Sequence, residues 1–454
     1  MKSLDIQTLT SFANGYLATD ATGHVSRIIT DSRRVMAGDL FVALKGEKFD
    51  AHDFLSQVVA SGATACLVQR GRGIRSDSCM MIEVDDTLTS LQDLARGYRS
   101  MLQSRVVALT GSNGKTSTKD LTATVMSCKF KTRATQGNLN NHIGVPLTLL
   151  SLEEEDECAV VEMGMNHAGE IKVLVDIALP DAAIVTNIGM AHIEHLGTQD
   201  AIAWEKGTLP SNIPADGIVV LNANDPYSDL IARHCQASVY RAGTNAGDVR
   251  AFDLQNKSNG TAFKLDFSGE VVEAFLPIMG EHMVGNAALA ACMGWAHGIS
   301  PTEIAEALNK SKLTGGRMET KAIAGIQFID DSYNANPDSM KAGLSALASL
   351  STSGRKIAIL GQMGELGHHT IAGHRDVGRH AVSVKIDALF TVGAGASLIS
   401  EEAKAGGLCE TEHFPSQEAC AAYLKKILKP GDAVLLKGSR SAGMEKVLNH
   451  FLNS

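Results

Sequence analysis

The chain has 454 residues, 44% hydrophobic and 20% charged, with 43 Gly against 10 Pro. That is apolar material for several cores and a length for about three domains, which excludes a disordered or fibrous chain. A net charge of −9 argues against a nucleic-acid partner, since phosphate-backbone binding needs a concentrated excess of Lys and Arg, and no basic arm or stripe is present.

The segment Met1 to Gln7 lacks the basic start and apolar run of a secretion signal. No apolar run reaches the ~18–20 residues that span a bilayer, so a cytoplasmic chain without membrane contact is expected. Eight dispersed cysteines with no Cys-x-x-Cys pair read as reduced, mostly buried thiols.

From one end to the other, short apolar runs alternate with helical periodicity, the pattern of an α/β protein with largely parallel sheets. Asp39 to Leu44 and Cys66 to Gln69 read as strands flanking a helix with Phe54, Leu55, Val58 and Val59 on one face, closed by Gly62. This gives a small N-terminal α/β domain, 1–85. A helical pattern from Thr87 to Leu102 then leads into the strand Arg105 to Thr110, and a second block, 86–313, runs to the break at Thr314-Gly-Gly after the helix Pro301 to Lys310. The third block, 314–454, restarts with the strand Gly325 to Asp330. Strands Lys356 to Leu360, Ala388 to Val392 and Ala433 to Leu436 follow, alternating with helices such as the one after Ser416, as in a Rossmann-like domain. The acidic run Glu153 to Glu157 reads as a solvated turn.

The strongest motif is Thr110-Gly-Ser-Asn-Gly-Lys-Thr-Ser117, placed between an apolar strand and a helical pattern with Leu121 and Val125. Gly111 and Gly114 let the backbone N–H groups of Ser112, Asn113 and Ser117 turn toward phosphates. Lys115 supplies charge and the Thr116 hydroxyl suits Mg²⁺. Leu109 stands where the longer P-loop has its first glycine, so this is the short Gly-x-x-Gly-Lys-Thr form. Glu162, ending the strand from Cys158, is a second metal candidate at the sheet edge where ligands bind. His192 follows the strand Ala182 to Thr186 to the same edge, but a lone histidine there is by spacing unremarkable. His368, His369, His374 and His380 lack the i, i+4 pairing of a zinc site.

Together, Thr110 to Ser117, Glu162-Met-Gly-Met, Thr186-Asn-Ile-Gly-Met-Ala-His192, Gly315-Gly-Arg317 and Asp330-Asp-Ser-Tyr-Asn-Ala-Asn-Pro337 resemble the ATP-dependent Mur ligases of peptidoglycan synthesis. Thr135-Gln-Gly-Asn-Leu-Asn-Asn141, Ile143-Gly-Val-Pro146 and Gly361-Gln-Met-Gly-Glu-Leu-Gly367 are most similar to members that add D-alanyl-D-alanine to UDP-N-acetylmuramoyl-tripeptide.

The resemblance implies three α/β domains: a small N-terminal one for the UDP end, a central P-loop ATPase sheet, and a C-terminal Rossmann-like domain that closes over the site. It also implies an acyl-phosphate reaction, the cofactors ATP and two Mg²⁺ ions, and a monomer. By resemblance, Thr116 and Glu162 serve one Mg²⁺, and His192 and a carbamylated Lys206 the other, with Lys115, His192 and Lys206 catalytic. Lys206 is followed by Gly-Thr-Leu where the family has Gly-Glu-Ile. Asn286, Arg317 and Asp331 are expected at the nucleotide, and Ser32, Asn138, Asn140, Asn141 and Asn334 at the other substrates. His374 resembles a family histidine near the dipeptide. The competing readings are a related Mur or folylpolyglutamate-type ligase with another donor, and a P-loop switch that ligates nothing.

Overall fold

The structure is a computed structural model and describes residues 1–17, 22–257 and 259–453. Its first sheet has parallel strands Arg27–Ile29, Asp39–Val42, Ala65–Gln69 and Met80–Val84, with Tyr16–Leu17 antiparallel at one edge. Alternation along the strands divides their side chains between two cores. Phe41, Cys66 and Val68 pack with Leu55 and Val58 of the helix Leu55–Ala60, while Leu40, Val42, Ala65 and Leu67 face the core shared with the centre of the molecule.

The helix Thr87–Ser100 is capped by the Asp86 carboxylate, which accepts from Thr89 N. It lies against Ile6–Phe12 on one side and against Gly144–Leu150 and Glu170–Ala178 on the other. Gly97 permits the closest approach, because a Cβ there would stand 2.4 Å from the Phe12 ring.

The central sheet has nine strands, in the spatial order Glu270–Leu276, Gly260–Phe267, Val249–Lys257, Ser238–Thr244, Ile218–Asn222, Ala182–Val185, Arg105–Thr110, Cys158–Glu162 and Thr132–Ala134. Seven strands, ending with Val249–Lys257, pair in parallel, but Gly260–Phe267 and Glu270–Leu276 join Val249–Lys257 through antiparallel ladders, a meander that the expectation of largely parallel sheets did not include. Ser268 (φ 52°) and Gly269 (φ 111°) make a two-residue turn there, and Phe263, Leu265, Phe267 and Leu276 are buried in the core that the helix Glu281–Ala296 shares. Arg105–Thr110 lies between Cys158–Glu162 and Ala182–Val185, so successive connections leave it in opposite directions. A crevice opens at its carboxyl end, the position where open α/β sheets hold ligands.

The C-terminal sheet runs Glu319–Ile323, Ile326–Asp331, Ala433–Lys437, Lys356–Gly361, Ala388–Val392 and Glu410–Phe414, parallel except for its first strand. Asp120, on the helix after the P-loop, accepts from Thr314 N and anchors the link into this sheet.

The acidic turn is less uniform than its charge suggested. Asp156 is buried, bonding Arg133 Nε at 2.6 Å and the backbone N of Glu153, because its carboxylate closes the turn, while Glu153, Glu154 and Glu155 reach Arg133, Lys2 and Lys131 at the surface. Among the described residues no helix is long and apolar enough to cross a membrane, and all eight cysteines are free thiols.

Candidate active site

The carboxyl edge of the central sheet and the facing edge of the C-terminal sheet enclose a cleft of ≈ 1200 Å³. Ser112 to Ser117, Asn138, Asn140, Asn141, Glu162, His192, Asn286, Arg317, Asp331 and Asn334 all line it. Gly111 stands just behind the loop, and Lys206 is buried beneath the surface, close enough to Lys115 and His192 for their charges to interact. Ser32 is not brought to this cleft. It starts a short 3-10 turn in the N-terminal domain, where Asp31 caps Arg33 N.

The P-loop has its shape for steric reasons. Gly111 (φ 151°) passes so close to Thr186 that a Cβ would stand 1.8 Å from Oγ1, and Gly114 (φ 77°) is left-handed and packed under Asn286. Asn113 holds the loop down: its N donates to Asn187 Oδ1, and its carbonyl accepts from Thr186 Oγ1 and Asn187 Nδ2. Lys115 Nζ folds back onto Gly111 O at 2.7 Å. Burial pushes its pKa down, against the attraction of Glu162.

Glu162 is 2% exposed; Asn140 Nδ2 donates to its Oε1 at 2.7 Å, and its Oε2 is buried with no partner. An unpaired buried carboxylate oxygen lining the same cleft as Thr116 suits a hard divalent cation, so these residues fit Mg²⁺. Asn140 therefore supports the carboxylate, and the Asn141 Oδ1 atom is taken up in accepting Ile143 N and Gly144 N at the start of the next helix. Asn138 is the asparagine of this loop with no such engagement.

His192 has φ 65° and stands with Nδ1 2.7 Å from the Glu365 carboxylate of the C-terminal domain, off the line of an ideal hydrogen bond. A non-glycine residue held in this region is strained, and such strain gathers at functional sites. Burial lowers the pKa of His192, and Glu365 opposes it. Lys206 is among the largest fully buried side chains, and among the described residues it forms no ion pair with a carboxylate. Burial first and Lys115 second push its pKa well down, which favours a neutral amine.

Several residues here are given no role from the sequence, although Asn336 lies inside the Asp330 to Pro337 string. Asn336 Nδ2 reaches across from the C-terminal domain to Asn113 Oδ1 at 2.8 Å, and Asp338 accepts from Met190 N. His282, its pKa pushed down to about 4 by burial, lies near Asp331 and Lys437. Each looks like an ordinary loop, cap or strand-end residue until the two sheets face one another.

Among the described residues His374 lies in no group of three or more His, Cys, Asp and Glu side chains that could hold a metal ion. It is fully buried, its Nε2 accepts from Met363 N at 3.0 Å, and its Nδ1 faces Thr370 O at 2.7 Å. A neutral ring thus anchors the loop carrying Glu365. His374→Ala should lower stability by about 1–3 kcal/mol by orphaning Met363 N, read as a shift in the urea midpoint. Burial lowers the folded pKa, so the unfolded chain binds the extra proton first, and the His374 contribution should be lost as pH falls below its unfolded value of about 6.5.

Comparison with known proteins places the chain in a class. The Mur ligase middle domain model matches residues 109–294, the Mur ligase glutamate ligase domain 316–440, and the Mur ligase catalytic domain 24–99. The chain belongs to the Mur ligase family. More particularly, it is 39% identical to the UDP-N-acetylmuramoyl-tripeptide--D-alanyl-D-alanine ligase of Escherichia coli, over 99% of this chain and 98% of that protein. It superposes on MurF from Acinetobacter baumannii with a TM-score of 0.92 at 32% identity, covering 100% of both chains. Against MurF ligase from Thermotoga maritima in complex with ADP the TM-score is 0.84 at 29% identity, over 94% of this chain and 96% of that one.

Proposed function

We propose that the chain is an ATP-dependent ligase that joins D-alanyl-D-alanine to the terminal carboxylate of UDP-N-acetylmuramoyl-tripeptide through an acyl phosphate. The observation that carries this reading is the single cleft in which the P-loop, the unpaired Glu162 oxygen and His192 face the Arg317, Asp331 and Asn334 strings of the C-terminal domain. The names and near full-length similarity of the relatives supply the substrates.

A carboxylate is a poor electrophile, so its oxygen attacks the γ-phosphate of ATP, ADP leaves, and the amine of the dipeptide displaces phosphate through a tetrahedral intermediate. The protein's task is positioning and charge neutralisation. Lys115 leaves Gly111 O for the phosphates, joined there by the loop amides. Asn286, beneath which Gly114 packs, serves the adenine side, and Arg317 with Asp331 reaches the nucleotide from the closing domain. Asn138 and Asn334 serve the peptide substrates, and Ser32 belongs to the uridine-nucleotide end. Thr116 and Glu162 would hold one Mg²⁺, and His192 with carbamylated Lys206 a second. Bound there, the ions neutralise charge developing on the phosphoryl oxygens.

The reading is tested by phosphate release with UDP-N-acetylmuramoyl-tripeptide and D-alanyl-D-alanine supplied singly and together. Turnover should require both; release indifferent to the dipeptide sinks the assignment, and preference for another amine donor moves the chain to a different ligase. Glu162→Gln keeps the bond to Asn140 but removes charge. It should cut kcat by about 10²–10³-fold and raise the Mg²⁺ concentration needed for half-maximal rate.

A further inference from the structure

Lys437 has no part in the reaction as assigned above, yet it is held more tightly than most charged groups in the molecule. It ends the strand Ala433–Lys437, where the parallel register sets it beside Asp331. Its side chain is 3% exposed, and its Nζ lies 2.5 Å from Asp331 Oδ2 and 3.1 Å from Asn334 O. The other Asp331 oxygen, Oδ1, accepts from Met318 N at 3.2 Å.

Met318 is a non-glycine residue at φ 52°, a backbone conformation that must be held by its surroundings. Its neighbour Arg317 lies with Cζ 4.0 Å from the centre of the Tyr333 ring, while its buried Nε has no partner. A chain of contacts thus runs from Lys437 through Asp331 to Met318, and so fixes the direction in which Arg317 leaves the backbone. The same ammonium ties down the turn at Asn334. A buried ion pair is weak evidence for a contribution to stability, since apolar residues often replace one without loss, but it does fix geometry. Lys437 also lines the cleft.

We infer that Lys437 is a positioning residue for the nucleotide end of the cleft: it holds Asp331 and, through Met318, aims Arg317 at the phosphates. This rests on the ligase reading only for the identity of the nucleotide.

The test compares wild type, Lys437→Met, Arg317→Ala and the double variant. ADP affinity is measured by calorimetry, KM for ATP and for D-alanyl-D-alanine in the full reaction, and folding by thermal melting. Lys437→Met should weaken ADP binding and raise the ATP KM about tenfold, with a smaller rise in the dipeptide KM through the turn at Asn334. In the Arg317→Ala background it should add little, because residues acting in one chain are not additive. Unchanged ADP affinity in a folded Lys437→Met protein overturns the proposal, as does full additivity with Arg317→Ala or an equal rise in the dipeptide KM. Should Lys437→Met fail to fold, Lys437→Gln, which keeps a donor for Asn334 O, is judged by the same criteria. ADP binding needs no acceptor or amine, so a wild type that binds ADP without dipeptide-dependent turnover fails the ligase reading and leaves Lys437 to be judged on affinity; a wild type that does not bind ADP overturns both.

Discussion

Lys115→Ala is expected to lower phosphate release by about a thousandfold or more while the protein still melts cooperatively. The size of the effect follows from where the ammonium sits. It is enclosed by the loop, bonded to Gly111 O and attracted by Glu162, in a region where burial already disfavours its charge. An anion there gains far more from it than in water, because a low-dielectric site weakens screening. The fold should survive, since Gly111, Asn113 and Gly114 keep the loop in place through Thr186, Asn187 and Asn286 without Lys115. Equal loss of activity and cooperative folding would place Lys115 in the framework instead. Stopped-time phosphate release beside circular-dichroism melting separates the two.

The second large effect runs in opposite directions for activity and stability. Lys206→Met should reduce turnover by about 100-fold or more yet raise Tm by about 2–4 °C in CO₂-depleted buffer. Lys206 is buried and pairs with no carboxylate among the described residues, so the folded state accepts a neutral amine or an unfavourable charge, and methionine of similar shape removes that cost. The pH dependence has a definite sign. The folded pKa lies well below the ordinary value, so below about 10.4 the unfolded chain binds the extra proton and wild-type stability rises with pH. The advantage of the methionine variant should therefore shrink as pH rises toward that value. A variant less stable than wild type at neutral pH, with activity lost in proportion, would make Lys206 a packing residue. In labelled bicarbonate, a carbamate resonance present in wild type and missing from Lys206→Met would identify the modification.

What the sequence disclosed and what it hid divide by distance along the chain. The P-loop is contiguous: an apolar strand, two glycines at positions that need them and an amphipathic helix all fall within a few turns of one another, so local physics is enough to read it. The three-block α/β organisation was legible for the same reason. By spacing alone His192 was not, since its contact with Glu365 comes from a loop more than a hundred residues later. Asn140 looks like any polar loop residue until the crevice brings it to Glu162. Lys437 is one more lysine at a strand end, and only the parallel register beside Asp331 gives it a place. The antiparallel meander escaped because alternating strands report their buried face and not the direction of their neighbours.

Activation of the tripeptide carboxylate as an acyl phosphate can be followed with UDP-N-acetylmuramoyl-tripeptide labelled with oxygen-18 in its terminal carboxylate. In the complete reaction with ATP, Mg²⁺ and D-alanyl-D-alanine, one labelled oxygen should appear in each inorganic phosphate released, matched one for one by amide product. Amide formed with unlabelled phosphate, or phosphate released with no amide, would contradict the account.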